Sequence, residues 1–192
     1  MKRRLIITGI CLIFGMVTMT EVYSQKSAPL DPMSQGSWIV GCGIGAGTQV
    51  WGNGYGFGPG FKAFFENGTF QLGPGVLTLG GEFGFSYFSY TWTYGDLTHR
   101  EYWLNNLFGA RSAYHYSWKV PGLDTYGGIP LGIGFTYNAH STVLGYLPYH
   151  VIYPYLGMFL GTSYFFNNFV GVNGEIGYNV TYANLGVIFK LH

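Results

Sequence analysis

The residues that could act as catalysts lie close together in the middle of the chain. His115 lies near Ser112, Ser117 and Asp124, which are the residue types of a hydrolase triad. In a β-strand, Ser112 and His115 point to opposite faces because their positions differ by an odd number. A triad would therefore depend on Ser117, across the short turn that leads to Asp124. We predict no catalytic activity and no bound cofactor.

Two other motifs that could bind a ligand each lack residues that such a site requires. His99, His140 and His150 fall in predicted outer loops, and no carboxylate lies in the loop between His140 and His150. Metal binding is therefore not predicted. The glycine-rich stretch 51–60 lacks the Lys-Ser/Thr ending and the following helix of a phosphate-binding loop. An outer hairpin loop is the better interpretation of this stretch.

The remaining charged residues fall mainly on the polar face of the predicted strands. We expect Glu82, Arg111 and Glu175 at the centre of a salt-bridge network, since each lies in mid-strand among glycines. Such a network would plug a narrow lumen, because an unpaired buried charge is costly. The alternative is that these residues line a gated or selective pore. The predicted lumen network is Lys62, Glu82, Arg111, His115, Asp124, Glu175 and Lys190, and Glu66 also points inward.

These residues are positioned by segments in which apolar residues alternate with glycine or polar residues, with a period of two. In the first segment, the even positions from Trp38 to Val50 are mostly apolar, and four of the odd positions are glycine. This alternation predicts β-strands. We count eight, which predicts an all-β, eight-stranded antiparallel up-and-down transmembrane barrel. The strands span 38–50, 57–66, 76–92, 100–116, 123–137, 149–166, 170–178 and 184–191.

Two features of these strands carry further predictions. Pro130 falls inside the fifth strand and implies a bulge there, and Pro154 implies a bulge or a strand start in the sixth. Phe159 and Phe165 interrupt the alternation of the sixth strand.

Residues 93–99 and 138–148 are predicted to be outer loops, the longest about 11 residues, which is short for a bulky adhesin.

The apolar face is predicted to point outward. It carries almost no charge, whereas the ionisable residues share the glycine-rich face, which is the arrangement of a membrane barrel. Overall the chain is 48% hydrophobic and only 9% charged, whereas soluble domains carry about 25% charged residues. A soluble secreted sandwich is the alternative. The net charge of +1 argues against nucleic-acid binding.

The N-terminus has the pattern of a secretory signal. Basic residues at 2–4 precede an apolar run at 5–20, and Ser24 suits a signal-peptidase site. We predict a cleaved signal at 1–24, a short periplasmic lead at 25–35 and the barrel at 36–192. The alternative is a transmembrane anchor, although 16 residues are short for a span of about 20.

The chain resembles small Gram-negative outer-membrane β-barrel proteins. The motifs are Gly-Glu-Phe-Gly-Phe at 81–85, Gly-Ala-Arg-Ser-Ala-Tyr-His-Tyr at 109–116 and the ending at 174–191. The resemblance implies eight strands, termini in the periplasm, and partners in periplasmic chaperones, the barrel-assembly machinery, outer-membrane lipid and lipopolysaccharide. Proteins of this kind usually end in an aromatic residue, whereas this chain ends in His192.

The resemblance does not select one activity, because these barrels host several functions. We expect a structural or envelope-maintaining role in the cell outer membrane. The alternative is a porin-like narrow channel for small solutes or small apolar molecules.

Overall fold

The computed structural model describes residues 32–48, 56–94, 97–118, 120–142 and 145–191. The predicted signal at 1–24 and most of the predicted lead lie outside the described residues. Nine strands occur in the described part of the chain. They are β1 (Trp38–Thr48), β2 (Gly56–Leu72), β3 (Gly75–Tyr94), β4 (Leu97–Ser117), β5 (Leu123–Thr142), β6 (Gly145–Leu156), β7 (Met158–Phe165), β8 (Val170–Tyr178) and β9 (Ala183–Leu191).

The strands form one closed antiparallel barrel. Each strand pairs with the next in the chain, except that β6 and β7 both pair with β5 and together occupy one position in the wall. The last strand returns to the first, with Trp38 paired to Leu191. The barrel therefore has eight wall positions in up-and-down order, which confirms the predicted fold class. We call the end that carries Trp38 and Leu191 the terminal end, and the opposite end the loop end.

The strands at the loop end are longer than predicted. β3 runs to Tyr94 and β4 resumes at Leu97, while β5 runs to Thr142 and β6 resumes at Gly145. The prediction of outer loops at 93–99 and 138–148 was therefore wrong. Asn138, the first residue of the second predicted loop, instead lies on β5 and pairs with Trp103 on β4 and Tyr149 on β6. His99, Glu101, His140 and His150 accordingly lie on strands.

Neither Pro130 nor Pro154 produces a bulge, and Pro154 lies inside β6 and not at its start, so both predictions were wrong. The pairs Gly128–Phe159 and Leu131–Leu156 share one register on either side of Pro130. The Gly157 N–H donates to the Pro130 carbonyl at 3.0 Å, but proline has no N–H to return. The ladder therefore loses one hydrogen bond without changing register, and this break separates β6 from β7.

Pro154 is accommodated for a related reason. Hydrogen-bonded and non-hydrogen-bonded pairs alternate along an antiparallel ladder. Since Gly157 is bonded to β5, the backbone N–H groups of even-numbered β6 residues point away from β5. Pro154, paired with Ile133, therefore removes no hydrogen bond from this ladder, and Pro148 occupies an equivalent position.

The apolar side chains of the strands point outward, as the pattern predicted. Leu79, Leu131 and Leu185 have exposed fractions of 47%, 59% and 73%. The inner wall carries glycines because large side chains fill the space above them. A Cβ on Gly41 would lie 2.4 Å from the ring of Phe64 on the neighbouring strand. Among the described residues, no helix is long and apolar enough to cross a membrane.

Candidate functional site

The centre of the lumen is a polar layer built around Arg111. This residue points inward from β4, and its guanidinium contacts carboxylates from three other strands. Its Nε bonds to Glu66, its Nη1 lies 3.3 Å from Glu82, and its Nη2 lies 2.9 Å from Glu175. All four side chains are buried. The planar fork of arginine suits this arrangement, because its N–H donors point in fixed, separate directions.

Two aromatic rings enclose the same guanidinium. The Cζ atom of Arg111 lies 4.3 Å from the ring centre of Phe64 and 3.7 Å from that of Phe159. Phe159 had been predicted only as an interruption of the alternation, yet it is an inward-facing residue of β7 and is buried. Phe165 points inward as well. Their common odd numbering with Gly157 and Ser163 was the signal that could have assigned them to the inner wall.

His115 lies at one side of the polar layer between two carboxylates. Its Nδ1 is 2.6 Å from Asp124 and its Nε2 is 2.8 Å from Glu66. The ring of Tyr126 stacks on the imidazole at 4.8 Å. Because both ring nitrogens contact carboxylates, neither is directed at a hydroxyl. Ser112 points outward, as predicted, and its hydroxyl donates to the backbone carbonyl of Thr78 at 2.9 Å.

The structure brings together six of the seven predicted network residues. Lys62 contacts Glu175, which completes a chain of contacts running through Arg111 and Glu66 to His115 and Asp124. Glu66 is more central than predicted, since it contacts both Arg111 and His115. The seventh residue, Lys190, is buried nearer the terminal end, where it pairs with Ile39. The described residues contain no group of three or more His, Cys, Asp or Glu side chains that could hold a metal ion.

At the loop end of the polar layer, the connection between β8 and β9 turns into the lumen. Asn179 accepts a hydrogen bond from the Tyr155 hydroxyl at 2.6 Å and donates one to Glu82 at 3.3 Å. Val180 is buried beside Gly84, whose added Cβ would lie 2.5 Å from it. Val180 forms an apolar cluster with Leu107, Tyr153 and Tyr155.

At the terminal end, a second apolar cluster lies beneath the polar layer. Met33 enters it from the segment before β1, which is held by hydrogen bonds between Gly36 and Gly68 at 2.7 Å and between Gly68 and Ser37 at 2.9 Å. The other members of the cluster are Ile39, Phe64, Val76, Phe165 and Ile188. The contacts of Arg111 therefore lie between two apolar layers.

A closed antiparallel barrel of eight strands, apolar outside and charged inside, is the architecture of small outer-membrane barrels. Solved structures of this class are similar to the chain. One is Ail, the attachment invasion locus protein of Yersinia pestis, with 11% identity and a TM-score of 0.50, covering 82% of this chain and 100% of that one. Another is Neisserial surface protein A, with 13% identity and a TM-score of 0.42, covering 81% of this chain and 94% of that one. No family model and no curated protein sequence matches the chain.

Proposed function

We propose that this chain is a non-enzymatic, integral outer-membrane barrel of a Gram-negative bacterium with a plugged lumen and a structural or envelope-maintaining role. The predicted cleaved signal would export it, and chaperones and the barrel-assembly machinery would insert it. Its outward apolar side chains would contact outer-membrane lipid and lipopolysaccharide. Contacts at the cell surface would be made by the extension of β3 to β6 at the loop end.

The observation that carries this proposal is the placement of Arg111. One guanidinium joins Glu66, Glu82 and Glu175 across the lumen and lies between two rings. An eight-stranded barrel has an interior just wide enough for side chains. Because these side chains satisfy one another, the layer favours a cross-link between walls over a water-filled path.

The contacts of His115 support a non-enzymatic role. A general base must lie within hydrogen-bond reach of the group that it deprotonates. Both nitrogens of His115 instead contact Asp124 and Glu66, and the imidazole is buried. If the protein modified lipid A, His115→Ala would change the lipid A profile of the host while leaving the barrel folded.

Planar-bilayer recording separates the plug from the narrow channel. We expect the purified protein to give no steady ohmic conductance. A steady conductance that changes in Glu82→Gln or Arg111→Ala would reject the plug and establish the channel. Leu131→Ala is the matched control, because this side chain is on the outer face and its removal leaves the lumen unchanged.

A further inference from the structure

The ring of His115 has a carboxylate at each of its two nitrogens. Asp124 on β5 lies 2.6 Å from Nδ1, and Glu66 on β2 lies 2.8 Å from Nε2. A neutral imidazole has one N–H donor and one acceptor nitrogen, whereas the protonated ring has two donors. In the neutral form, a nitrogen lone pair would face a carboxylate oxygen with no proton between them. The geometry therefore favours a ring that is protonated on both nitrogens.

A protonated ring also balances the charges of the lumen. Four acids leave one negative charge uncancelled by three bases, and a positive charge on His115 cancels it. An uncompensated charge that is shielded from water is costly. Among the described residues, the buried acids are Glu66, Glu82, Asp124 and Glu175, and the buried bases other than histidine are Lys62, Arg111 and Lys190.

The other groups around the ring are compatible with a positive charge. From β5, the ring of Tyr126 stacks on the imidazole with ring centres 4.8 Å apart, and the face of an aromatic ring attracts a cation at this distance. From β3, the directly paired residue is the uncharged Val76. The cation on the same strand, Arg111, contacts the Glu66 oxygen that His115 does not use. Glu66 therefore lies between two cations.

A cavity at the terminal end gives water access to the ring. Its volume is about 150 Å³, and its lining includes His115, Ser117, Ser34 and Gln71. This volume has room for several water molecules, each of which takes up about 30 Å³ in the liquid. The hydroxyl and amide groups of the lining can bind such waters. Protons can therefore pass between the imidazole and the compartment that the terminal end faces.

We propose that His115 is a proton-binding site that makes the barrel sensitive to pH from its terminal end. With the proton bound, the imidazolium joins β2 to β5. Without it, the ring donates to only one carboxylate. Glu66 keeps the hydrogen bond from the Thr78 hydroxyl, whereas Oδ1 of Asp124 has no hydrogen-bond partner among the described residues. The site depends on the contacts of His115 and not on whether the lumen conducts, and under the proposed function the terminal end faces the periplasm.

Nitrogen-15 NMR of the folded mature protein in detergent measures the charge of the ring. Replacing the other four histidines by glutamine leaves His115 as the only source of histidine signals. At about pH 7.5, an imidazole of ordinary acidity is about nine-tenths neutral. We expect instead two ring nitrogens with nearly equal chemical shifts, which is the signature of an imidazolium. Two widely separated shifts, which mark a neutral ring, would overturn the proposal.

The pH dependence of stability provides a second measurement. The folded barrel keeps a proton that the unfolded chain releases above about pH 6.5. The folding equilibrium constant of the wild type relative to that of His115→Gln should therefore be constant below this pH. Above it, the ratio should fall by up to about tenfold per pH unit until the folded protein also loses the proton.

Comparison with His115→Gln removes the contribution of the other titrating groups of the lumen. The matched control is His150→Gln, which replaces an exposed histidine on β6 and should show the pH dependence of the wild type. The same pH dependence in His115→Gln as in the wild type would contradict the proposal. If His115→Gln does not fold, the NMR measurement decides.

Filling the cavity tests the route of the proton. Ser117→Leu adds bulk to the lining, and we expect it to slow the exchange of the His115 ring N–H protons with water. Ser112→Leu is the matched control, because Ser112 points outward from the same strand and should leave the exchange unchanged. Unchanged exchange in Ser117→Leu would overturn access from the terminal end.

Discussion

Replacing Arg111 by methionine tests the central contact of the polar layer. Methionine keeps an apolar stem of similar length between the rings of Phe64 and Phe159 but removes the charge. Glu175 would still contact Lys62, and Glu66 would still contact His115. Glu82 would lose its contact with Arg111 and would keep the hydrogen bond that it accepts from the amide of Asn179.

The expected loss of stability follows from which carboxylates keep a partner in Arg111→Met. Removing one partner of a buried ion pair typically destabilises a protein by about 3–5 kcal/mol, because it leaves an uncompensated charge. Glu82 is the one carboxylate left with an uncompensated charge. We therefore expect Arg111→Met to lower the free energy of unfolding by about 3–5 kcal/mol. The double variant Arg111→Met/Glu82→Gln removes the stranded charge and should recover about 2 kcal/mol of the loss.

Urea titration of the protein in detergent, followed by fluorescence of its five tryptophans, measures both effects. Arg100→Met is the matched control. Arg100 is exposed and contacts Thr91 and Tyr102 near the loop end, so its loss should change stability by no more than about 0.5 kcal/mol. A loss below about 1 kcal/mol in Arg111→Met, or no recovery in the double variant, would show that the carboxylates do not depend on Arg111.

Three further outcomes are expected. Gly41→Ala should lower the free energy of unfolding by about 1–3 kcal/mol in a urea titration, because the new Cβ would meet the ring of Phe64. Gly174→Ala, where the nearest atom is 3.3 Å away, should lower it by less. Phe159→Ala should lower the thermal midpoint by the equivalent of about 3–5 kcal/mol, whereas a similar loss in the exposed Phe166→Ala would contradict the inward placement of Phe159. Asn179→Ala removes the contacts to Tyr155 and Glu82 and should increase amide hydrogen exchange in the connection between β8 and β9, while unchanged exchange would show that these contacts do not hold it.

The alternation of side chains predicted the barrel because it depends only on local geometry. Leu79 and Leu131 face outward while Glu82 and Arg111 face inward, as a period of two requires. The same rule places Glu82, Arg111 and Glu175 on one face, and their contact then follows from the small diameter of an eight-stranded barrel.

The remaining features depend on contacts between distant parts of the chain. The entry of Val180 into the lumen requires the space above Gly84, almost a hundred positions away in sequence. The central place of Glu66 depends on its position opposite both Arg111 and His115. Likewise, Pro130 suggested a bulge because proline cannot donate a hydrogen bond, but the sequence does not show that Gly157 lies opposite and keeps the register.

The two prolines of β6 have a consequence for behaviour in a crowded membrane. Within the described residues, β6 pairs with β5, and its even-numbered backbone groups point to the other side. Two of these six positions, Pro148 and Pro154, offer no donor to an approaching strand. An extended segment of another molecule that paired with this edge of β6 would therefore lack a hydrogen-bond donor at these two positions. The two prolines therefore disfavour aggregation through this edge of the sheet.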